Sequence, residues 1–456
     1  MFFGYRQKQR GIRHNMNRFA KLKNDVSGFL AGKHNQMVLL FGIEGLLFQF
    51  VMSLSGVSGF GTNLYATNLG ATDSQIGMIQ LVANLAAVAL LLPIGVLSDR
   101  MKNAKTMPVC LMLFMGVAYF FYGTVPMMGQ HRMVFFFIFL AMTAGVLVVY
   151  NAIWQAFFGD MTAISERNRV YAFRNRFIFA ISTIAPIVCG TILTAMPDSD
   201  SKLGVLRAFF YACGACNLLN ALVLWRMPGG QRSQEAIEHA PKLSARQLAE
   251  VLGGLVRDRK FVLYFISIMF FYFGWHMDWS MWYIGQTQYV GMSEAQLSFF
   301  TAICAILQLA TLGVFARLNE KKGVNFTFIF CVISLMCCPL TMLVAGTAPV
   351  AARPFVFIVM GCIVCIPQSA TNLCLVQMLL SVIPERNRSL IVSLNMVFVT
   401  LSNAVMPFIG VQLYGLLGGD YRGFLAFNAV VLGLRIAATA LFVLRYLRGR
   451  RAVQAA

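Results

Sequence analysis

Leu69-Gly-Ala-Thr-Asp-Ser-Gln-Ile76 and Val290-Gly-Met-Ser-Glu-Ala-Gln-Leu297 are two copies of one pattern, set 221 residues apart (291 minus 70 for the glycines). Each copy carries a capping box, Thr72 with Gln75 and Ser293 with Gln296, whose side chains satisfy backbone donors left free at a helix start. Further segments fall in the same register. Gly95 to Lys102 overlies Ala316 to Gly323 at that offset, and so do Arg132 over Arg353 and Pro186 over Pro407. Ser165-Glu-Arg-Asn-Arg169 overlies Pro384-Glu-Arg-Asn-Arg388 at an offset of 219 (384 minus 165). The chain reads as a duplication.

What is duplicated is a set of membrane spans. The 456 residues are 58% hydrophobic and only 12% charged, with a mean hydropathy of +0.70, which a soluble globular chain does not reach. A helix crosses the hydrocarbon layer with about 20 apolar residues, and the sequence offers about twelve such runs. Because lipid leaves an open backbone unsatisfied and the runs lack the alternation of barrel strands, they are predicted to be helices. The expected fold is an all-α membrane protein of twelve transmembrane helices in two pseudo-symmetric six-helix bundles, 35–226 and 260–449. A basic arm (1–34), a linker (227–259) and a short tail (450–456) complete it.

The net charge of +20 does not point to nucleic acid. Basic residues collect at alternate span ends: Arg6 to Lys33, Arg100 to Lys105, Arg167 to Arg176, Arg226 to Lys260, Arg317 to Lys322, Arg386, Arg388, and Arg445 to Arg451. This bias predicts both termini in the cytoplasm of a cell (plasma or inner) membrane. The arm shows no apolar core or small-residue cleavage site, so no signal peptide is expected, and its cations suit anionic lipid headgroups. Eleven cysteines, including Cys213-x-x-Cys216 and Cys362-x-x-Cys365, lie mostly within spans without nearby His or acidic partners and read as packing, so neither metal nor cofactor is expected.

Gly95-Val-Leu-Ser-Asp-Arg100, after the second span, resembles the signature of the major facilitator superfamily: Gly, three residues, Asp, a basic residue, one residue, then Gly-Arg-basic. Gly95, Asp99 and Arg100 match; Lys102, Asn103 and Ala104 depart from the ending, while the second copy keeps Glu320-Lys321 and Gly323. The resemblance implies two bundles rocking about a central site. It also implies a latch on the cytoplasmic side, for which Gly95, Asp99, Arg100, Asp160, Arg174, Glu320 and Lys321 are the candidates. Gly95 is expected to allow a close helix approach there.

Ionisable groups at membrane depth are costly and mark function by default. Asp278 lies 18 residues beyond Lys260, or about 27 Å along a helix, in the half of its span away from the cytoplasm. It is the candidate proton-titrating or substrate-binding carboxylate, with Trp275 and Trp282 on its stripe and His276 on the neighbouring one. Trp275, Trp279, Trp282 and Tyr283 also fit an interfacial aromatic belt, and His276 also fits an interhelical hydrogen bond. Glu44 is the second proton-coupling candidate, with Arg176 as its expected ion-pair partner; deep Arg435 has no evident partner. Asn151, Trp154, Gln155, Gln80, Asn84, Gln308, Gln368, Asn372 and Asn395 are candidate cavity residues, each also readable as interhelical glue, as are Gln377 and Asn403.

The predicted function is a secondary transporter of a small polar solute, sugar- or nucleoside-like, probing both sides by alternating access with proton coupling, and working as a monomer. The alternatives are an exporter of amphipathic compounds and a non-transporting receptor or scramblase. No His-Glu-x-x-His or Gly-x-Ser-x-Gly supports an enzyme.

Overall fold

The computed structural model describes residues 33–55, 60–162, 166–232, 253–383 and 388–455. Most of the basic arm, of the linker and of the loops around Ser165 and Pro384 lies outside these residues, as does Ala456. Among the described residues twelve helices are long and apolar enough to cross a membrane. The first six are α1 (Asn35–Ser55), α2 (Asp73–Asp99), α3 (Thr106–Gly123), α4 (Gly129–Met161), α5 (Arg169–Thr194) and α6 (Ser199–Arg226). The second six are α7 (Arg259–Tyr289), α8 (Glu294–Lys322), α9 (Val324–Thr347), α10 (Val350–Val382), α11 (Leu394–Leu416) and α12 (Tyr421–Arg448). A short helix, Phe60–Asn68, lies between α1 and α2. Both capping boxes form as read, Thr72 with Gln75 and Ser293 with Gln296.

The halves meet where α2 packs on α11 and α5 packs on α8. These crossings are related by the repeat and place small residues against each other. A Cβ on Gly77 of α2 would lie 3.0 Å from Val411 of α11, and one on Gly190 of α5 would lie 2.6 Å from Cβ of Ser298 on α8. Gly77 and Ser298 are equivalent positions (298 minus 77 is 221), as are Gly190 and Val411 (411 minus 190 is 221).

Among the described residues, hydrogen bonds between the halves cluster on the side away from the linker, called here the far side. Lys202 Nζ pairs with Glu294 Oε1 at 2.5 Å, and Thr194 Oγ1 accepts from the Ala295 amide at 2.8 Å. In the related crossing, Gln288 Nε2 donates to Asp73 Oδ1 at 2.7 Å and Gln412 Nε2 to Ser74 Oγ at 2.9 Å. Asp73 and Glu294 are the acidic residues of the two quoted segments. Both capped helix starts are thus gripped by the opposite half, and these contacts are called here the far-side seal.

Candidate functional site

Although α7 is predicted as one long helix, it is helical only to His276, turns at Met277 and Asp278, restarts at Trp279 and ends in a π-helical turn, Gly285–Tyr289. The turn leaves the carbonyls of Gly274 and Trp275 without their amide partners four residues on. Arg435 of α12 supplies the missing donors: Nε to Gly274 O at 2.9 Å and Nη2 to Trp275 O at 3.1 Å. The same guanidinium donates to Leu335 O of α9 at 2.5 Å and pairs with Asp278 Oδ1 at 2.5 Å. Sequence reading left Arg435 without a partner; it has four acceptors. Gly410 of α11 lets the turn pack close, since a Cβ there would lie 3.0 Å from the Met277 carbonyl carbon.

The break gathers side chains that a continuous helix would place on separate stripes. Trp275, Asp278, Trp279, Trp282, Tyr283 and Gln286 all line a cavity of about 520 Å³ beneath the far-side seal. Gln80 of α2, Gln308 of α8, Gln368 of α10 and Arg435 complete its polar wall, together with Asn63 and Thr301. The tryptophans face this cavity, which answers the aromatic-belt alternative. Tyr283 also donates to or accepts from Thr67 Oγ1 at 3.1 Å, so one side chain belongs to both seal and cavity. His276 does not line the cavity: it is buried, with Nδ1 2.9 Å from Ser402 Oγ on α11.

Glu44 corrects the expected pairing. Its carboxylate, 0% exposed, accepts from Arg174 Nε at 2.6 Å, Arg174 Nη2 at 3.2 Å and Tyr150 hydroxyl at 3.1 Å. The Arg174 guanidinium also lies over Trp154, 3.8 Å from the ring centroid. Arg176, the predicted partner, is exposed. At 100° per residue, two positions rotate a side chain by about 200°, so if Arg174 faces α1 then Arg176 points away. Arg174 therefore belongs to a sealed pair between α1, α4 and α5 rather than to the latch, and Trp154 belongs to that cluster rather than to the cavity.

The remaining candidates divide. Asn84 is buried and donates to Gln80 O and Oε1, while Asn395 is partly buried. Asn151, Gln155 and Asn372 are exposed and do not line the cavity. Gln377 accepts from Asn319 at 2.7 Å, an α8–α10 bond. On the linker side Asp99, Arg100, Glu320 and Lys321 are exposed, and a Cβ added at Gly95 would meet no atom within 4 Å, so the close approach expected at Gly95 is not made in this conformation. Asp160 pairs with Arg232 of the linker at 2.5 Å, and Arg232 also caps Ser98 O at the end of α2. Asn63, Trp279, Tyr283, Gln286 and Thr301 were not among the predicted cavity residues. Only Trp279 and Tyr283, through their place in the aromatic cluster, had a signal. Among the described residues no cluster of His, Cys, Asp or Glu has the form of a metal site.

A family model described as Major Facilitator Superfamily matches residues 45–377 and 264–455. Solved structures share the fold. A nucleoside transporter, NupG, superimposes with a TM-score of 0.66 at 10% identity, covering 91% of this chain and 99% of that one. A D-xylose-proton symporter gives 0.64 at 14% identity, over 90% and 97% of the two chains. A bacterial homologue of the iron transporter ferroportin, in an inward-facing state, gives 0.62 at 13%, over 90% and 98%. No curated protein matches the chain in sequence.

Proposed function

The chain belongs to the major facilitator superfamily and is a transporter rather than an enzyme, and we propose that it moves a small polar solute of sugar or nucleoside size, coupled to protons, by alternating opening of its two faces. The observation that carries this reading is the cavity, lined mainly by the second half and completed by Asn63 and Gln80 of the first, with one carboxylate in its wall. A volume of about 520 Å³ suits a ligand of that size. Trp275, Trp279 and Trp282 offer faces for a sugar or base ring, and Gln286, Gln308 and Gln368 offer amide donors and acceptors for hydroxyl and amide groups. With Asp278 ionised against Arg435 the wall carries no net charge, which favours a neutral solute.

Asp278 is the acid placed to couple protons. When it takes a proton, its charge attraction to Arg435 is lost, while Arg435 stays tied to Gly274, Trp275 and Leu335 through its other donors. The proton therefore loosens the turn of α7 without unseating α12, next to the solute. Solved structures of this fold that transport nucleosides or D-xylose support the solute class, the latter with protons. The charge asymmetry along the sequence supports a cytoplasmic linker side, and in that orientation the sealed far side faces outward. The aromatic and apolar lining, Leu297, Phe300, Leu335 and Val364, favours a second reading, export of amphipathic compounds.

The test uses proteoliposomes with an imposed proton gradient and a panel of labelled sugars, nucleosides and amphipathic cations. Asp278→Asn is expected to abolish gradient-driven accumulation of the accepted solute while leaving solute exchange in place. Unchanged gradient-driven accumulation in that variant removes Asp278 from coupling, and transport of the cations alone selects the export reading.

A further inference from the structure

Cys304 of α8 and Cys365 of α10 both line the cavity, a placement that the packing reading of the cysteines did not include. Cys365 Sγ also points at backbone oxygen, 3.0 Å from Cys362 O and 3.9 Å from Cys304 O, so the two helices touch at this residue. Both cysteines are free.

Cys365 is also the last residue of a helix. α10 is α-helical over Arg353–Cys365, passes through a 3-10 turn, Pro367–Ala370, and resumes over Thr371–Val382. Pro367 has no amide hydrogen, and a proline inside a span frees carbonyls that neighbouring side chains must satisfy. Here Ser334 donates to Val364 O, Cys331 to Pro367 O at 3.3 Å and Thr311 to Ile366 O at 3.5 Å. These side-chain bonds, borrowed from α8 and α9, hold a break whose own Gln368 faces the solute cavity. The break is thus a hinge in the cavity wall, with the thiol pair at its edge.

We propose that Cys304 and Cys365 form an oxidisable dithiol, and that its conversion to a disulfide by a peroxide staples the α10 hinge to α8 and fixes that wall of the cavity. The thiolate of one cysteine attacks the peroxide O–O bond, giving a sulfenic acid and one water. The second thiolate attacks that sulfur, the S–S bond forms, and the hydroxyl leaves as a second water once protonated. Two thiols are oxidised and one hydrogen peroxide is reduced to two waters. The contact of Cys365 Sγ with the Cys304 backbone, 3.9 Å from its carbonyl oxygen, sets the two residues side by side, and the proposed disulfide closes by side-chain rotation and an approach of the two helices. Reduction by a dithiol reverses the step. The staple lies within one half, so it acts on the wall of the binding cavity and leaves the seal between the halves untouched.

The experiment exposes the purified full chain to hydrogen peroxide, alkylates remaining thiols and maps the peptides by mass. The expected result is a Cys304–Cys365 linked peptide lacking two hydrogens, removed by dithiothreitol, absent in Cys304→Ser and in Cys365→Ser, and still formed in Cys362→Ser. Amide exchange at residues 366–371 is expected to slow by about tenfold on oxidation in the parent and to stay unchanged in Cys304→Ser. Both thiols remaining alkylatable, or Cys304 joining Cys362 instead, overturns the pairing; a disulfide with unchanged exchange over the hinge overturns the staple. Neither readout involves a solute, so these outcomes are separate from any failure of the transport reading.

Discussion

Replacing Gly190 with alanine should open the far side. In the sealed conformation a Cβ at Gly190 would stand 2.7 Å from the Glu294 carbonyl oxygen and 2.6 Å from the Ser298 Cβ. Ordinary contact begins at 3.4 Å, so relief from the carbonyl alone requires α5 and α8 to part by 0.7 Å (3.4 minus 2.7). A backbone oxygen inside a helix cannot rotate away, so the crossing itself must give. Overpacking of this kind costs about 1–3 kcal/mol, and parting the helices also stretches the Lys202–Glu294 and Thr194–Ala295 contacts beside them. The penalty falls only on the sealed state, because alanine within an isolated helix is more favourable than glycine by about 1 kcal/mol. A differential of about 1–3 kcal/mol shifts the sealed-to-open ratio by about 5- to 150-fold. The assay is the rate at which a membrane-impermeant maleimide, applied from the far side, modifies a cysteine placed at Asn63, in the cavity wall beneath the seal. That rate should rise by the same factor in Gly190→Ala, and adding Ser298→Ala, which removes only the Ser298 hydroxyl, should restore it only in part, since the Glu294 carbonyl and the Cβ at position 298 both remain. An unchanged rate would refute the crossing as the element that sets closure, and full rescue by Ser298→Ala would refute the role given to the carbonyl.

Three smaller perturbations bear on the same framework. Arg174→Met leaves the Glu44 carboxylate buried and unpaired and should lower unfolding stability by about 3–5 kcal/mol, much of it recovered in Glu44→Gln/Arg174→Met; a loss below about 1 kcal/mol in a denaturation assay would count against the pair. Glu294→Gln removes the charge partner of a half-shielded Lys202 and should raise far-side labelling at the Asn63 position by about fivefold, with the difference shrinking at high salt. Arg232→Ala should cost less than about 1 kcal/mol, because Asp160 is exposed, yet speed amide exchange at Ala104 and Arg232, whose amides bond Gly230 O and Lys102 O in the strap that ties the linker to the loop after α2.

The spans, their number and the duplication were legible because they rest on local signals: apolar runs, caps and turn glycines. Position along each helix was legible too. Asp278 lies in the far half of α7 and Glu44 deep in α1, as counting along a helix placed them. Azimuth was not. Arg174 and Arg176 differ by only about 3 Å in height but by about 200° in direction, so a depth estimate alone selects between them at random. The Asp278–Arg435 pair was invisible for a further reason. It joins residues 157 positions apart through a helix break, and nothing in the run from Phe261 to Tyr289 marks that break: it holds no proline, and Gly274 and Gly285 lie to either side of the turn. What stabilises the turn is donated from α12, so the signal for it lies outside the segment that turns. The latch residues were assigned from a resemblance that describes closure of the linker side. With the far side sealed Asp99, Arg100, Glu320 and Lys321 are exposed, Arg174 is buried against Glu44, and Asp160 is held by the linker instead.

The two halves have kept their contact geometry and lost their chemical equivalence, and the cavity follows from that difference. At the repeat offset Arg435 falls on Gly214 (435 minus 214 is 221) and Asp278 on Val57. In the first half, Gly214 of α6 sits against Gly116 of α3 so closely that a Cβ on it would lie 3.0 Å from the Gly116 carbonyl, and there is no room between those helices for a larger side chain. In the second half the equivalent crossing of α9 and α12 holds a guanidinium, which reaches through to α7 and keeps its turn open toward the solute. The first half meanwhile buries its own pair, Glu44 and Arg174, away from any cavity wall. The second half therefore supplies most of the cavity wall, including Asp278, with Asn63 and Gln80 of the first half completing it, and the proposed solute binding and proton uptake rest on that wall. Arg435→Gly should let α9 and α12 close together, release Gly274 and Trp275 to reform a straight α7, and erase the cavity without disturbing the seal. Preserved far-side labelling kinetics with lost solute binding would be the signature of that separation.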